Sequence, residues 1–217
     1  MAVGSNLQTI LDLLRGLEGI EPLKQLFWSE LNYDRANDPI PTGSWKDTER
    51  AALAGDPLLF ASAGQDNDFH VVYCRLHSAS QLHIVDERIL INRLIRDHLY
   101  GLFVFSDASQ KYWHFVNVRN DPDVTKRRIF RRITVSPEER LRTAVERISL
   151  LNVGSDSHSL SALYIQEKHD EAFNVEAVTK LFFDEYCVVF RHLQKELLNH
   201  INNARWAHDY AQSFLNR

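Results

Sequence analysis

The stretch Leu102–Val135 reads LFVFSDASQKYWHFVNVRNDPDVTKRRIFRRITV. Three runs in it, Leu102–Ser106, Tyr112–Val118 and Arg128–Val135, are rich in β-branched and aromatic residues, the chemistry of strands. The link Asp107–Lys111 has hairpin length, so at least this part of the sheet is antiparallel. In the third run, alternation places Ile129, Ile133 and Val135 on one face with Arg127 and Arg131. Arg128, Phe130, Arg132 and Thr134 fall on the other. Trp113 and Phe115 share a face opposite Tyr112, His114 and Val116, a spacing that reads as core packing.

Working outward, Phe69–Leu76 is a further strand. A helix follows with Asp86 as N-cap, Ile91, Leu94, Ile95 and His98 on one face, and Gly101 as its stop. Ser136-Pro137-Glu138-Glu139 has the form of a capping box, opening a helix that buries Leu141, Ala144, Val145, Ile148 and Leu151. Upstream, Leu7, Ile10, Leu11 and Leu14 make a helical stripe, and Leu23, Leu26, Phe27 and Leu31 make another. Asn32–Trp45 reads as irregular, and Asn152–Leu160 as a polar loop. A long helix runs from Asn174, and a last amphipathic segment, Trp206–Leu215, stops at Arg217 without a cap, as if the natural chain continues. The expected fold is α+β: a mixed, largely antiparallel sheet flanked by helices, with a long C-terminal helical extension. The expected organisation is an N-terminal helical segment (1–55), an α/β core (56–152), a linker (153–173) and a truncated helical connector (174–217).

Charge is unevenly spread. The 217 residues carry a formal net charge of -4, yet from Arg119 to Arg147 nine Lys or Arg face five Asp or Glu. A basic block on a rigid element matches a phosphate backbone, and equally an edge strand protected by charge. Lys126, Arg128, Arg132, Arg140 and Arg142 are the candidate DNA-binding residues, with duplex DNA as the partner. No apolar run reaches the ~20 residues of a membrane span. Cys74 and Cys187 sit in apolar surroundings, as free thiols in a reducing cytoplasm do.

Magnesium-dependent nuclease chemistry of the common restriction type needs an acid two residues before a lysine, on a strand beside a further carboxylate. Positions two before Lys24, Lys46, Lys111, Lys126, Lys168, Lys180 and Lys195 hold Pro, Ser, Ser, Val, Gln, Val and Leu. The motif is absent, so no catalytic residue, metal site or cofactor is assigned. Asp66 and Asp68 are the only candidates for an atypical magnesium site, and the usual reading of such loop carboxylates is solvation. No glycine-rich phosphate loop, Asn-Pro-Pro-aromatic motif or zinc-like Cys/His spacing occurs. His169-Asp170-Glu171 reads as a surface cluster, His192, His200 and His208 as solvent-facing, and Trp28 and Tyr33 have no evident role.

Several segments resemble one family. Leu26-Phe27-Trp28-Ser29-Glu30-Leu31-Asn32-Tyr33-Asp34, Leu102–Ser106, Trp113–Val118, Arg131–Val135 with Glu139–Arg142, and Val175–Phe183 resemble the N-terminal region of type IIG restriction-modification proteins. Those proteins join such a region to an adenine-specific DNA methylase. The resemblance implies an endonuclease-like core, possessing in active members the acid and lysine that this chain lacks at Cys74-Arg75-Leu76. It therefore implies a non-catalytic, DNA-contacting accessory domain for phage defence. Its partners would be duplex DNA and either a C-terminal methylase region of a longer parent or a second copy. The alternatives are an atypical magnesium nuclease and a module that docks onto a methylase.

Overall fold

Six strands form one sheet in sequential order: β1 (Asp34–Pro39), β2 (Leu58–Ala63), β3 (Phe69–Arg75), β4 (Tyr100–Ser106), β5 (Trp113–Asn120) and β6 (Arg128–Val135). The computed structural model describes residues 3–78, 81–120, 128–139, 141–201 and 203–215. Every neighbouring pair is antiparallel except β3–β4, which run parallel. A parallel pair cannot be closed by a tight hairpin and needs a crossover. Beyond the short helix α3 (Asp47–Arg50), helix α4 (Ile84–Leu94) supplies it. The fold is the expected α+β arrangement with a mixed, mostly antiparallel sheet.

Both faces of the sheet are buried. Phe69, Val71, Tyr73, Leu102, Val104, Trp113, Phe115, Ile133 and Val135 belong to the larger core. Over them lie α1 (Val3–Arg15), α2 (Ile20–Gln25), the π-turn Leu26–Glu30, α5 (Leu141–Ser149) and α6 (Ala162–Ala172). Phe27, at its centre, sets its ring edge against Tyr33 at 5.2 Å and Phe60 at 5.3 Å. Val72, Cys74, Phe103, Phe105, Val116 and Val118 face the other way, beneath Leu90, Ile91 and Leu94 of α4. Each fully buried side chain of this size contributes roughly 1.5–3 kcal/mol. Cys74 is fully buried, and burial pushes its thiol well above the usual range.

Several elements depart from the sequence reading. Asn32–Trp45 contains β1, an outer strand whose backbone partners β2 while its side chains are mostly exposed. Its residues Asp-Arg-Ala-Asn-Asp-Pro show no apolar alternation, and Pro39 is tolerated because the strand lies at the edge. The segment 153–173, expected as a linker, holds α6, which buries Ala162, Ile165, His169 and Ala172. Helix α4 begins at Ile84 with His83, not Asp86, in the N-cap position. Ser136–Glu139 forms a turn, and the described helix starts at Leu141; Glu138 instead accepts a hydrogen bond from the Tyr112 hydroxyl at 2.9 Å. Gly101 lies inside β4 rather than ending a helix. A Cβ there would sit 2.6 Å from the His70 carbonyl oxygen, so glycine is what admits the close β3–β4 approach.

The chain divides into the units Met1–Phe173 and Asn174–Arg217. In the second, α7 (Val175–Ile201) turns back into α8 (Ala204–Leu215). Asn203 caps α8 by accepting from the Arg205 and Trp206 backbone N–H groups at 3.1 and 3.2 Å. Ala207 and Ala211 are buried, whereas Val188, Val189, Trp206, Tyr210 and Phe214 are exposed. His192, His200 and His208 are exposed, as expected. Among the described residues no helix is long and apolar enough to cross a membrane.

His169 ties the first unit together from within. It is fully buried, 2.6 Å from the Tyr33 hydroxyl, which itself donates to the Leu151 carbonyl at 3.0 Å. Its Nδ1 is buried without a partner, and a bare acceptor is cheaper to bury than an orphaned N–H. The proton therefore sits on Nε2 and points at Tyr33. Burial, with Lys168 nearby, drives the His169 pKa down to about 3. The unfolded chain takes up a proton near the ordinary histidine value and the native one does not. This contribution is thus complete above about pH 6.5 and lost as pH falls toward 3. Unfolding titrations in denaturant should show stability falling below about pH 6.5 by up to about 1.4 kcal/mol per pH unit from this group. His169→Gln should flatten that slope, and an unchanged slope in the variant would refute the assignment.

Candidate nucleic-acid interface

The place where a nuclease acid and lysine would stand is the open end of the β2–β3 hairpin, at Cys74–Leu76. Leu58, the first residue of β2, pairs with Tyr73 there. Tyr73 points into the larger core, stacked on Trp113 at 5.5 Å. Its hydroxyl lies 2.7 Å from the Ser106 hydroxyl and accepts from Gln110 at 2.8 Å; burial, chiefly, raises its pKa. Arg75 donates through Nε to the Ala108 carbonyl at 3.0 Å. Asp56, just before β2, is exposed and accepts from Thr42 at 2.6 Å. At this end of the sheet Tyr73 and Arg75 are engaged with hydroxyl, amide and backbone partners.

Asp66 and Asp68 lie at the opposite end of the same hairpin, both exposed. Six or seven strand residues at about 3.3 Å each put them about 20 Å from Cys74–Leu76. Among the described residues, no three His, Cys, Asp or Glu side chains converge as a metal cage.

β6, which carries the described part of the basic run, is an outer strand of the sheet. Its alternation is as read: Ile133 and Val135 enter the larger core, and Phe130 packs against the smaller one. The arginines meet different fates. Arg132, expected to face phosphate, donates through Nε to Glu87 of α4 at 2.7 Å. Glu87 has no exposed surface, and its second oxygen is hydrogen-bonded to His114 Nδ1. Burial alone would raise the Glu87 pKa, but the bonds and charges of His114 and Arg132 outweigh it and hold it below the ordinary range. Arg131, on the other face, donates to the Asp170 carbonyl at 3.4 Å. Asp170 is itself half-buried with a raised pKa, mainly from burial, and accepts from Asn117 at 2.6 Å. His169 and Asp170 therefore face inward, and of the expected surface cluster Glu171 is the exposed member.

Arg128 stays at the surface and reaches Asn92 of α4 at 2.8 Å. Beside it the exposed Arg88 of α4 lies over the Phe130 ring at 5.4 Å. Arg88 was not singled out from the sequence, because helix α4 had to be docked on β6 before the two residues became neighbours. Arg142 belongs to α5, on the opposite side of the sheet, where it pairs with Glu146 at 3.0 Å. Lys126, Arg127 and Arg140 lie outside the described residues. The fold thus gathers Arg88, Asn92 and Arg128 around Phe130, and separates Arg142 from them. Trp28 lies near the other edge, its indole N–H donating to the Phe60 carbonyl at 2.9 Å with Arg35 over the ring at 5.2 Å.

Removing the carboxylate of Glu87 leaves two cationic or polar partners facing a half-buried void. Glu87→Ala should destabilise the protein by about 3–5 kcal/mol, the usual cost of breaking a buried pair from one side. Glu87→Gln should cost less. Equilibrium denaturation measures both, and a loss under about 1 kcal/mol for the alanine variant would mean that the triad is only a surface ion pair.

Compared with known family models, curated proteins and solved structures, the chain gives no match.

Proposed function

We propose that this chain is a DNA-contacting domain that does not itself cleave DNA, an accessory part of a restriction-modification protein acting in phage defence. The observation that carries the reading is the surface of α4 and β6, where exposed Arg88 and Arg128 flank Phe130. Both guanidiniums are mounted on regular elements packed into the core, so they can meet phosphates with little loss of side-chain freedom. Such contacts position a duplex without reading its bases. The strand-helix-strand order through β3, α4 and β4 supports an endonuclease-like ancestry, and the Tyr73–Arg75 end of the sheet supports the loss of cleavage. The partner classes that go with this reading are duplex DNA and the methylase region of a longer parent protein or a second copy. The fully buried Cys74 thiol suits the cytoplasm.

A second reading, a docking module for a methylase, is favoured by one observation. Trp206, Tyr210 and Phe214 recur every four residues along α8, and all three are exposed.

Two measurements test the proposal. Each neutralised phosphate changes log affinity against log salt by about -0.9 on duplex DNA. Arg88→Ala with Arg128→Ala should therefore reduce the salt slope by roughly two units with the fold intact. Arg132→Ala should instead lower stability, since its charge is taken by Glu87. Unchanged DNA affinity and salt slope in the double variant would favour the docking module. In the second measurement, purified protein with magnesium or manganese should leave supercoiled plasmid uncut. Nicking that disappears in Asp66→Ala or Asp68→Ala protein would overturn the non-cleaving reading in favour of an atypical nuclease.

A further inference from the structure

Away from the α4–β6 surface, two imidazoles converge at the far end of the sheet. His70 Nδ1 of β3 lies 3.0 Å from His98 Nδ1, in the turn between α4 and β4. The rings are half-buried and nearly perpendicular, with centroids 4.8 Å apart and planes at 85°. Both are mounted on fixed backbone. His70 pairs with Gly101 across the close β3–β4 approach, and the His98 N–H donates to the Leu94 carbonyl at 2.9 Å.

We propose that His70 and His98 form a bidentate site for a divalent transition-metal ion of tetragonal preference, Ni(II) or Cu(II), with water completing the coordination. Two nitrogens about 2.0–2.1 Å from one ion are about 2.9 Å apart at a right angle and about 3.4 Å apart at the tetrahedral angle. The observed 3.0 Å is close to the right-angle value. Imidazole ligands at right angles are what Cu(II) and Ni(II) take, and neutral imidazole is the ligating form.

The surroundings favour a cation. His98 follows the C-terminal turn of α4, the negative end of the helix dipole. Asp68 and Asp97 act electrostatically on His70 and His98, respectively. Arg93, the cation that also acts on His98, is bonded to Asp97 at 2.6 Å. Burial lowers the pKa of both rings, that of His98 to about 4. Without an ion the two nitrogens share one proton in an N–H···N bond. With one, the proton of that bond moves through solvent to Nε2 of its own ring, both neutral rings offer Nδ1 to the ion, and the ion ties β3 to the turn after α4. Since no third ligating side chain converges among the described residues, this is not the closed cage of a structural zinc site.

The test is titration of the full chain with nickel(II) chloride, followed by calorimetry and by NMR of the ring C–H and nearby backbone signals. One equivalent, reversible by EDTA, should shift or broaden the rings of His70 and His98 and the amides of residues 68–71 and 97–101. The exposed His192, His200 and His208 should respond only at higher concentration. His98→Gln should weaken this first binding event by at least the roughly 10–100-fold that even outer-shell changes cost. If the first equivalent perturbs other histidines and leaves this pair untouched, the site does not exist and the contact is only a hydrogen bond. Equal affinity in wild type and His98→Gln overturns the proposal in the same way. Because the wild-type spectra decide the first point, a variant that fails to fold does not remove the test.

Discussion

The parallel pairing of β3 with β4 is the constraint on which the rest of the first unit depends. In a sheet otherwise built from antiparallel neighbours it demands a crossover, and α4 must therefore lie across one face. That face is then buried under Leu90, Ile91 and Leu94 while the other is buried under four helices. A sheet covered on both sides needs apolar residues at consecutive positions, as in Val71-Val72 and Leu102-Phe103-Val104-Phe105. It also needs two backbones to approach closely where Gly101 faces His70. The same docking brings Glu87 to His114 and Arg132, Arg88 to Phe130, and His98 to His70.

A buried carboxylate decides how much of the basic run is free for a ligand. A charge without exposed surface has to be compensated, and Glu87 takes up Arg132 and His114 to meet that need. Arg131 is drawn to the opposite face by the pleat of the same strand. Of the arginines in β6, Arg128 remains at the surface, where it joins Arg88 from a different element. The electrostatic footprint is therefore smaller than the run of charge implies and is shared between a strand and a helix. β6 is also an outer strand, so protection of an unpaired edge by charge acts alongside any contact with phosphate.

Periodicity made much of this legible. β3, β4, β5 and β6 were readable because their β-branched and aromatic runs are bounded by polar turns, and the Trp113/Phe115 face was assigned to the core where both residues lie fully buried. β1 was not readable, because an edge strand with exposed side chains leaves no apolar signature. The capping signal at Ser136 was locally sound yet unused, since Ser136–Glu139 forms a turn and the described helix begins at Leu141. His169-Asp170-Glu171 looked like a polar surface because sequence shows polarity and not whether Tyr33 waits inside to receive it.

What the sequence by itself determined is the α+β class, the faces of β6, the amphipathic helices and the lack of an acid-x-Lys pair. These follow from local spacing and residue type, which are properties of the chain whatever it packs against. Only the tertiary structure decided that Arg132 is consumed by Glu87, that Arg88 joins Arg128, that Arg142 lies across the sheet, and that His70 meets His98. Each of these depends on contacts between residues 28 to 45 positions apart or on opposite faces. Such contacts are set by where the crossover helix docks, which no local pattern encodes.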